Sequence, residues 1–303
     1  MSARYRPSEA AAAADIDPEL AVRLWVAMGF TMPEDDEPSY DEDDVAALRY
    51  AGELVRSGSV EPELLVQLTR TMASSIARVA DAQLEVAVDR ARRFGSEEGV
   101  LIDRQVVEMT PWLLGYMWRR HAAASFGRAV ETANAEELTM AVGFADLVGF
   151  TAASQELAES ELAELVNQFE AVAHETIVLR GGRVVKMIGD EVMFAVTSTR
   201  AGVEVALSLS EAYAATDDLQ DVRVGLACGG VLQLQGDLYG PPVNLASRIV
   251  GIARPGSVVV AEAVYEELAD DPAYEWRSLR PRTFKGIGRV PIWRVRRAAN
   301  STG

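Results

Sequence analysis

The hydrophobic period of this chain changes near residue 135, and a fold with one kind of layer throughout cannot accommodate both halves. Before that point apolar residues mostly step by three, four or five, a helical period. Leu20, Val22, Leu24 and Trp25 mark a helix between Ile16 and Met28, ending near Gly29. A second runs from Val45 to Val55. A long third, Glu63 to Phe94, rests on Leu64, Leu65, Leu68, Met72, Ile76, Val79, Leu84 and Val88. Proline is tolerated in a first helical turn, so Pro111 predicts another helix, from Trp112 to about residue 133. The acidic run Asp41 to Asp44 suits a helix N-terminus, where carboxylates cap free N–H groups and favour the dipole.

Beyond the change, short elements alternate. An apolar run, Leu138 to Phe144, precedes a helix over Glu159 to Leu179. Strands over Arg183 to Ile188 and Glu191 to Val196 flank Gly189-Asp190 as a hairpin. A helix over Thr199 to Ala214 leads to strands Val222 to Cys228 and Val231 to Gln235. A helix over Val243 to Ile252 and two or three late strands follow. The order β-α-β-β-α-β predicts a ferredoxin-like α+β domain. The expected organisation is an all-α N-terminal domain, residues 1–134, including a linker helix at about 112–133, followed by the α+β domain, residues 135–303.

Composition excludes several functions. No apolar run approaches the roughly 18 residues of a membrane span, and the start of the chain lacks the form of a secretory signal. One cysteine, Cys228, rules out an internal disulfide and suits a reducing cytoplasm; as a lone thiol on an apolar strand it is expected in the core. Net charge is −17. The helical half alone carries 14 basic and 23 acidic residues, the wrong sign for a DNA-binding unit. A cytoplasmic protein that neither binds nucleic acid nor spans a membrane is expected.

Chemistry concentrates in the second half. Asp146 falls just after the first strand and Asp190 in the hairpin, so one sheet can bring two carboxylates together. Such pairs hold two hard cations, as phosphoryl transfer requires. The segment after Asp146 holds Gly149 and opens a helix at Phe150 and Thr151, whose N–H groups suit phosphate. Asn244 and Arg248, at i and i+4, share a helix face, where an amide and a guanidinium can meet a ribose oxygen and a phosphate. Only two lysines occur among 29 basic residues, Lys186 beside the hairpin and Lys285 between Phe284 and Gly286.

With these residues in this order, roughly 138–298 resembles the class III nucleotidyl cyclases, specifically adenylate cyclases. The resemblance implies that Asp146 and Asp190 bind two divalent cations, Mg²⁺ or Mn²⁺, that Lys186 and Asp237 read the base, and that Asn244 and Arg248 act on ribose and phosphate. It implies that Lys285 reaches the terminal phosphates, and that a homodimer shares its active sites between protomers. The base pair of residues agrees with chemistry: lysine donates to adenine N1 and aspartate accepts from the adenine amino group. ATP is therefore the expected substrate. Less specifically, the first half resembles the autoinhibitory domain of mycobacterial pH-responsive cyclases, through Arg23-Leu24-Trp25, Met28-Gly29-Phe30 and Trp118-Arg119-Arg120-His121. His121, which titrates in the useful range, is the regulatory candidate. The alternative is a catalytically weak or silent cyclase fold serving in signalling or binding, which a missing site residue would favour; none is missing.

Overall fold

The computed structural model describes residues 4–32, 37–94, 104–132, 138–216 and 221–299. The chain divides into two compact units, Met1–Arg128 and Ala129–Gly303. The expected domain boundary at 134/135, and the end of the expected linker helix at 133, lie outside the described residues.

In the first unit, α1 (Pro7–Ala14), α2 (Pro18–Ala27) and α3 (Glu42–Arg56) enclose a small core of Ala10, Ala14, Leu20, Leu24, Val45 and Leu48. The alanine run forms α1, a helix that apolar periodicity did not predict. Methyl-sized side chains give it little amphipathic contrast, and the same smallness lets it pack closely. Asp41 behaves as a helix cap: its carboxylate accepts from the N–H groups of Asp43 and Asp44, and Asp44 accepts from the Asp41 N–H. The long helix α4 (Pro62–Phe94) joins the core only at its first turns, through Leu65 and Val66. Leu68, Met72, Ile76 and Leu84 stay about half exposed, so most of its predicted apolar face is unburied.

Pro111 does not begin a helix. It lies inside α5 (Arg104–Thr132), which starts eight residues earlier than the reading from proline placed it. The Thr110 hydroxyl donates to the Val106 carbonyl at 2.7 Å, one residue from the carbonyl that proline cannot serve. The Gln83 side-chain amide donates to that same Thr110 hydroxyl at 2.8 Å, tying α4 to α5.

The second unit runs β1 (Thr139–Leu147), α6 (Phe150–Glu156), α7 (Glu159–Leu179), β2 (Arg183–Ile188), β3 (Glu191–Val196), α8 (Thr199–Ala214) and β4 (Val222–Gly230). It continues with β5 (Leu232–Leu234), β6 (Asp237–Tyr239), α9 (Pro241–Val250), β7 (Ser257–Ala261) and α10 (Glu262–Leu268). The last strands are β8 (Tyr274–Ser278), β9 (Arg282–Phe284), β10 (Gly288–Val290) and β11 (Ile292–Arg297). Seven strands form one sheet in the order β2-β3-β1-β4-β7-β11-β8. Its first four strands have the predicted ferredoxin-like order, and β7, β11 and β8 extend it. Every pairing is antiparallel except β4 with β7.

Helices cover both faces. Phe169 and Ile177 of α7, Val203 and Leu209 of α8 and Val264 of α10 pack on one. Ala246, Ile249 and Val250 of α9 pack on the other, against Val142, Ala227 and Val259. The seat of α9 depends on Gly225: a Cβ there would stand 2.4 Å from the Val250 backbone nitrogen and 2.6 Å from the Ala246 carbonyl oxygen. Cys228 is half-buried and packs against the first of these cores, and burial pushes its thiol pKa up.

A polar tie closes the far end of the sheet. Glu204 accepts from the Tyr274 hydroxyl and from Arg297, each at 2.7 Å. Burial alone would raise the Glu204 carboxyl, but these two bonds and the Arg297 charge outweigh it and hold it below the usual glutamate range. A depressed folded-state pKa contributes stability that is present above the unfolded glutamate value and is lost as pH falls through the folded one. Glu204→Gln is therefore expected to cost about 1–3 kcal/mol at neutral pH. Urea unfolding should show wild type and variant converging as pH drops through the acidic range below 4.5.

Candidate active site

The site is built where β1, the β2–β3 hairpin and β4 meet. Asp146 lies within β1, rather than after it as the apolar run suggested, and pairs in register with Glu191 of β3 and Arg223 of β4. Arg223 Nε donates to Asp146 Oδ2 at 2.5 Å. Asp190 occupies the tight turn behind Gly189, whose φ of 62° is glycine's region. The Leu147 N–H holds the Asp190 carbonyl at 2.9 Å, fixing the turn beside the strand end.

Strand register sets Asp146 opposite Glu191, with Asp190 next in sequence, so their charges act on one another. Burial raises the Asp190 carboxyl, and the Asp146 charge adds to that against a backbone hydrogen bond and Arg223. Glu191 is pushed to about 7, first by burial, then by Asp146 and Asp190. Arg223 offsets part of this crowding, and like charges gathered so closely cost stability where they are not fully offset. Among the described residues no group of three or more His, Cys, Asp and Glu forms a ready cage. Asp146 and Asp190 are hard oxygen donors of the kind a divalent cation takes, with Arg223 at present paired to Asp146.

Lys186 and Asp237 are brought together from 51 positions apart, with Nζ 2.5 Å from Oδ2. A register shift between Val184 and Lys186 marks a bulge in β2 just before the lysine, a device that re-aims a side chain. Asp237 begins β6. The single strand expected over Val231 to Gln235 instead becomes a small hairpin, β5 with β6, turning at Gln235 and Gly236, which both have positive φ. The Asp237 second oxygen accepts from the Leu238 N–H at 2.8 Å.

Asn244 and Arg248 are both exposed on α9, while Pro242, Ala246, Ile249 and Val250 face inward. Pro241 and Pro242 fill first-turn positions where no backbone donor is needed. Phe150 and Thr151 open α6 behind Gly149; Phe150 packs on the core and Thr151 is exposed. Lys285 is exposed in the β9–β10 turn, and no contact among the described residues brings it to the others. His121 is exposed on α5, in the other unit.

Glu191 and Arg223 were not foreseen. Glu191 follows Asp190 in sequence and invited no separate reading. Arg223 reaches Asp146 only through strand pairing across 77 positions, which no local pattern encodes.

Residues 130–296 match the adenylate and guanylate cyclase catalytic domain. An adenylate cyclase of Streptomyces coelicolor is 38% identical over 286 residues, covering 90% of this chain and 74% of that one. One from Streptomyces griseus is 36% identical over 276 residues, covering 88% and 68%. A pH-sensitive adenylate cyclase of Mycobacterium tuberculosis is 30% identical over 307 residues, covering 95% and 77%.

Proposed function

Because the chain belongs to the adenylate and guanylate cyclase catalytic-domain family, we propose that it converts ATP to 3′,5′-cyclic AMP and pyrophosphate. The observation that carries this reading is the 2.5 Å contact of Lys186 with Asp237, a donor-only and an acceptor-only side chain held together as adenine requires. Asp146 and Asp190 would hold two divalent cations, Mg²⁺ or Mn²⁺, which when bound activate the ribose hydroxyl and neutralise the phosphates.

The remaining roles fall to the chain's own groups. Asn244 orients the ribose so that its 3′-oxygen lies in line with the α-phosphorus; the O3′–P bond forms as the bond to the pyrophosphate oxygen breaks. Arg248 meets the charge that develops on the phosphate, one helical turn along the same face. Backbone N–H groups at Phe150 and Thr151 face the phosphates, and Lys285 reaches the terminal ones. Catalysis is then mostly positioning and charge stabilisation. Two copies share sites across their interface. The exposed Asn244 and Arg248, and the apolar stripe left open on α4, support a chain that works as a homodimer.

A turnover assay with ATP and GTP tests the reaction directly: cyclic AMP should form from ATP and little cyclic GMP from GTP. Lys186→Arg is expected to raise KM for ATP about tenfold or more, since a planar guanidinium does not replace a compact ammonium at a fitted contact. Unchanged kinetics would remove Lys186 from base reading.

The helical unit modulates this activity, with pH as the stimulus that the M. tuberculosis relative's name suggests. Residues 136–303 alone should turn ATP over faster than the full chain, and any pH response of the full chain should weaken in His121→Ala. A pH profile identical in that variant would exclude the histidine alone.

A further inference from the structure

The chain carries a net charge of −17, yet one cleft in its second unit collects only positive charge. Arg254, Arg277, Arg280, Arg282 and Arg294 line a cavity of about 260 Å³ beside the β7–β11–β8 end of the sheet, and no carboxylate lines it. Its floor is apolar, with Val259 and Ile292 almost wholly buried.

The strand register makes the arrangement costly. Arg277 of β8 stands directly opposite Arg294 of β11, and like charges in such cross-strand pairs destabilise a sheet. Two residues along on the same strands, Arg296 stands opposite Glu275 and forms an ion pair at 2.5 Å. Arg200, Arg223 and Arg297 also have carboxylate partners. Among the described residues, none of the five cleft arginines forms a side-chain hydrogen bond or ion pair. The sheet thus neutralises its arginines elsewhere and leaves them unneutralised here.

We infer that this cleft binds a small polyphosphate anion, either free pyrophosphate or the triphosphate chain of a nucleotide. Guanidinium forks match phosphate oxygens in pairs. Five of them around so small a volume call for several negative charges on one compact ligand, more than a single carboxylate supplies. The volume is too small for an element of a folded partner. None of the residues assigned above to nucleotide or metal lines the cleft, so the site is separate from the proposed active site and does not depend on it.

The test is calorimetric titration of the full chain, in EDTA, with pyrophosphate, tripolyphosphate and ATP. Wild type should bind at least one of them, more weakly as salt rises. Arg277→Ala/Arg294→Ala should weaken that binding roughly tenfold or more, while Arg180→Ala, at an exposed arginine outside the cleft, leaves it in place. The double variant without ligand should melt at or above the wild-type temperature, because a repulsive pair has been removed. Arg280→Glu, in the turn before β9, supplies a second variant should the first fold poorly, and should weaken binding likewise. Response to pyrophosphate assigns the free anion; response to ATP alone assigns the nucleotide's tail. Binding that persists undiminished in both variants, or no binding of any of the three, would overturn the assignment.

Discussion

Asp146→Asn should reduce cyclic AMP formation at least about a thousandfold while leaving the chain folded. The size follows from the role: loss of the charge that anchors electrostatic stabilisation of a phosphoryl transition state costs orders of magnitude in rate. Folding should survive because asparagine keeps the shape of the side chain, which is held by Arg223 at one edge of the pocket. Relief of crowding also compensates, since Asp190 and Glu191 each lose a like charge nearby. Circular dichroism and a thermal melt check the fold; turnover checks the chemistry. Arg248→Ala should be comparably inactive. If two protomers share each site, equal mixtures of the two dead variants should recover about a quarter of wild-type activity, since random pairing gives heterodimers half the time, each with one intact site. No recovery, with heterodimers shown to form, would rule out shared sites. Wild-type rates in Asp146→Asn would dismiss the carboxylate pair altogether.

Gly225→Ala is the second large effect, and it acts on both stability and rate. The added methyl would meet the backbone of α9 at Val250 and Ala246 well inside contact distance, and backbone cannot rotate away as a side-chain tip can. Overpacking of this kind costs about 1–3 kcal/mol, which for a unit of this size is a melting shift on the order of 5 °C. The helix that must give way is the one carrying Asn244 and Arg248. A displacement near 1 Å of positioning groups can cost about a hundredfold in rate. Turnover should therefore fall far more than the melting temperature implies. A variant that melts and turns over like wild type would show that α9 does not sit as close to β4 as Gly225 requires.

Much of the second unit was legible because its signals are local. Strands Arg183–Ile188 and Glu191–Val196 and helices Glu159–Leu179 and Thr199–Ala214 fall where apolar period and turn residues placed them. The order of the first four strands followed from the order of elements. The family was legible too, from six polar side chains, and the relatives at 30–38% identity agree with it. What escaped notice was either non-local or low in contrast. Arg223 reaches Asp146 through sheet register, and the five cleft arginines converge from separate strands and turns. The alanines of α1 carry too weak an apolar signal to stand out. Pro111 reads locally as a first-turn proline, whereas Val106 and Met109 upstream belong to the same helix.

On the proposed reading, the Lys186–Asp237 ion pair bears on which nucleotides can enter. Each side chain is the other's partner at 2.5 Å, so an incoming base must win both away at once. A purine that satisfies only the lysine leaves a carboxylate stripped of its counter-charge, and one that satisfies only the aspartate leaves an ammonium. Either loss is of the size that separates good ligands from poor ones. If Lys186 and Asp237 read the base, the pair is also a resident competitor, and selectivity among bases then comes as much from what it refuses to release as from what it grips.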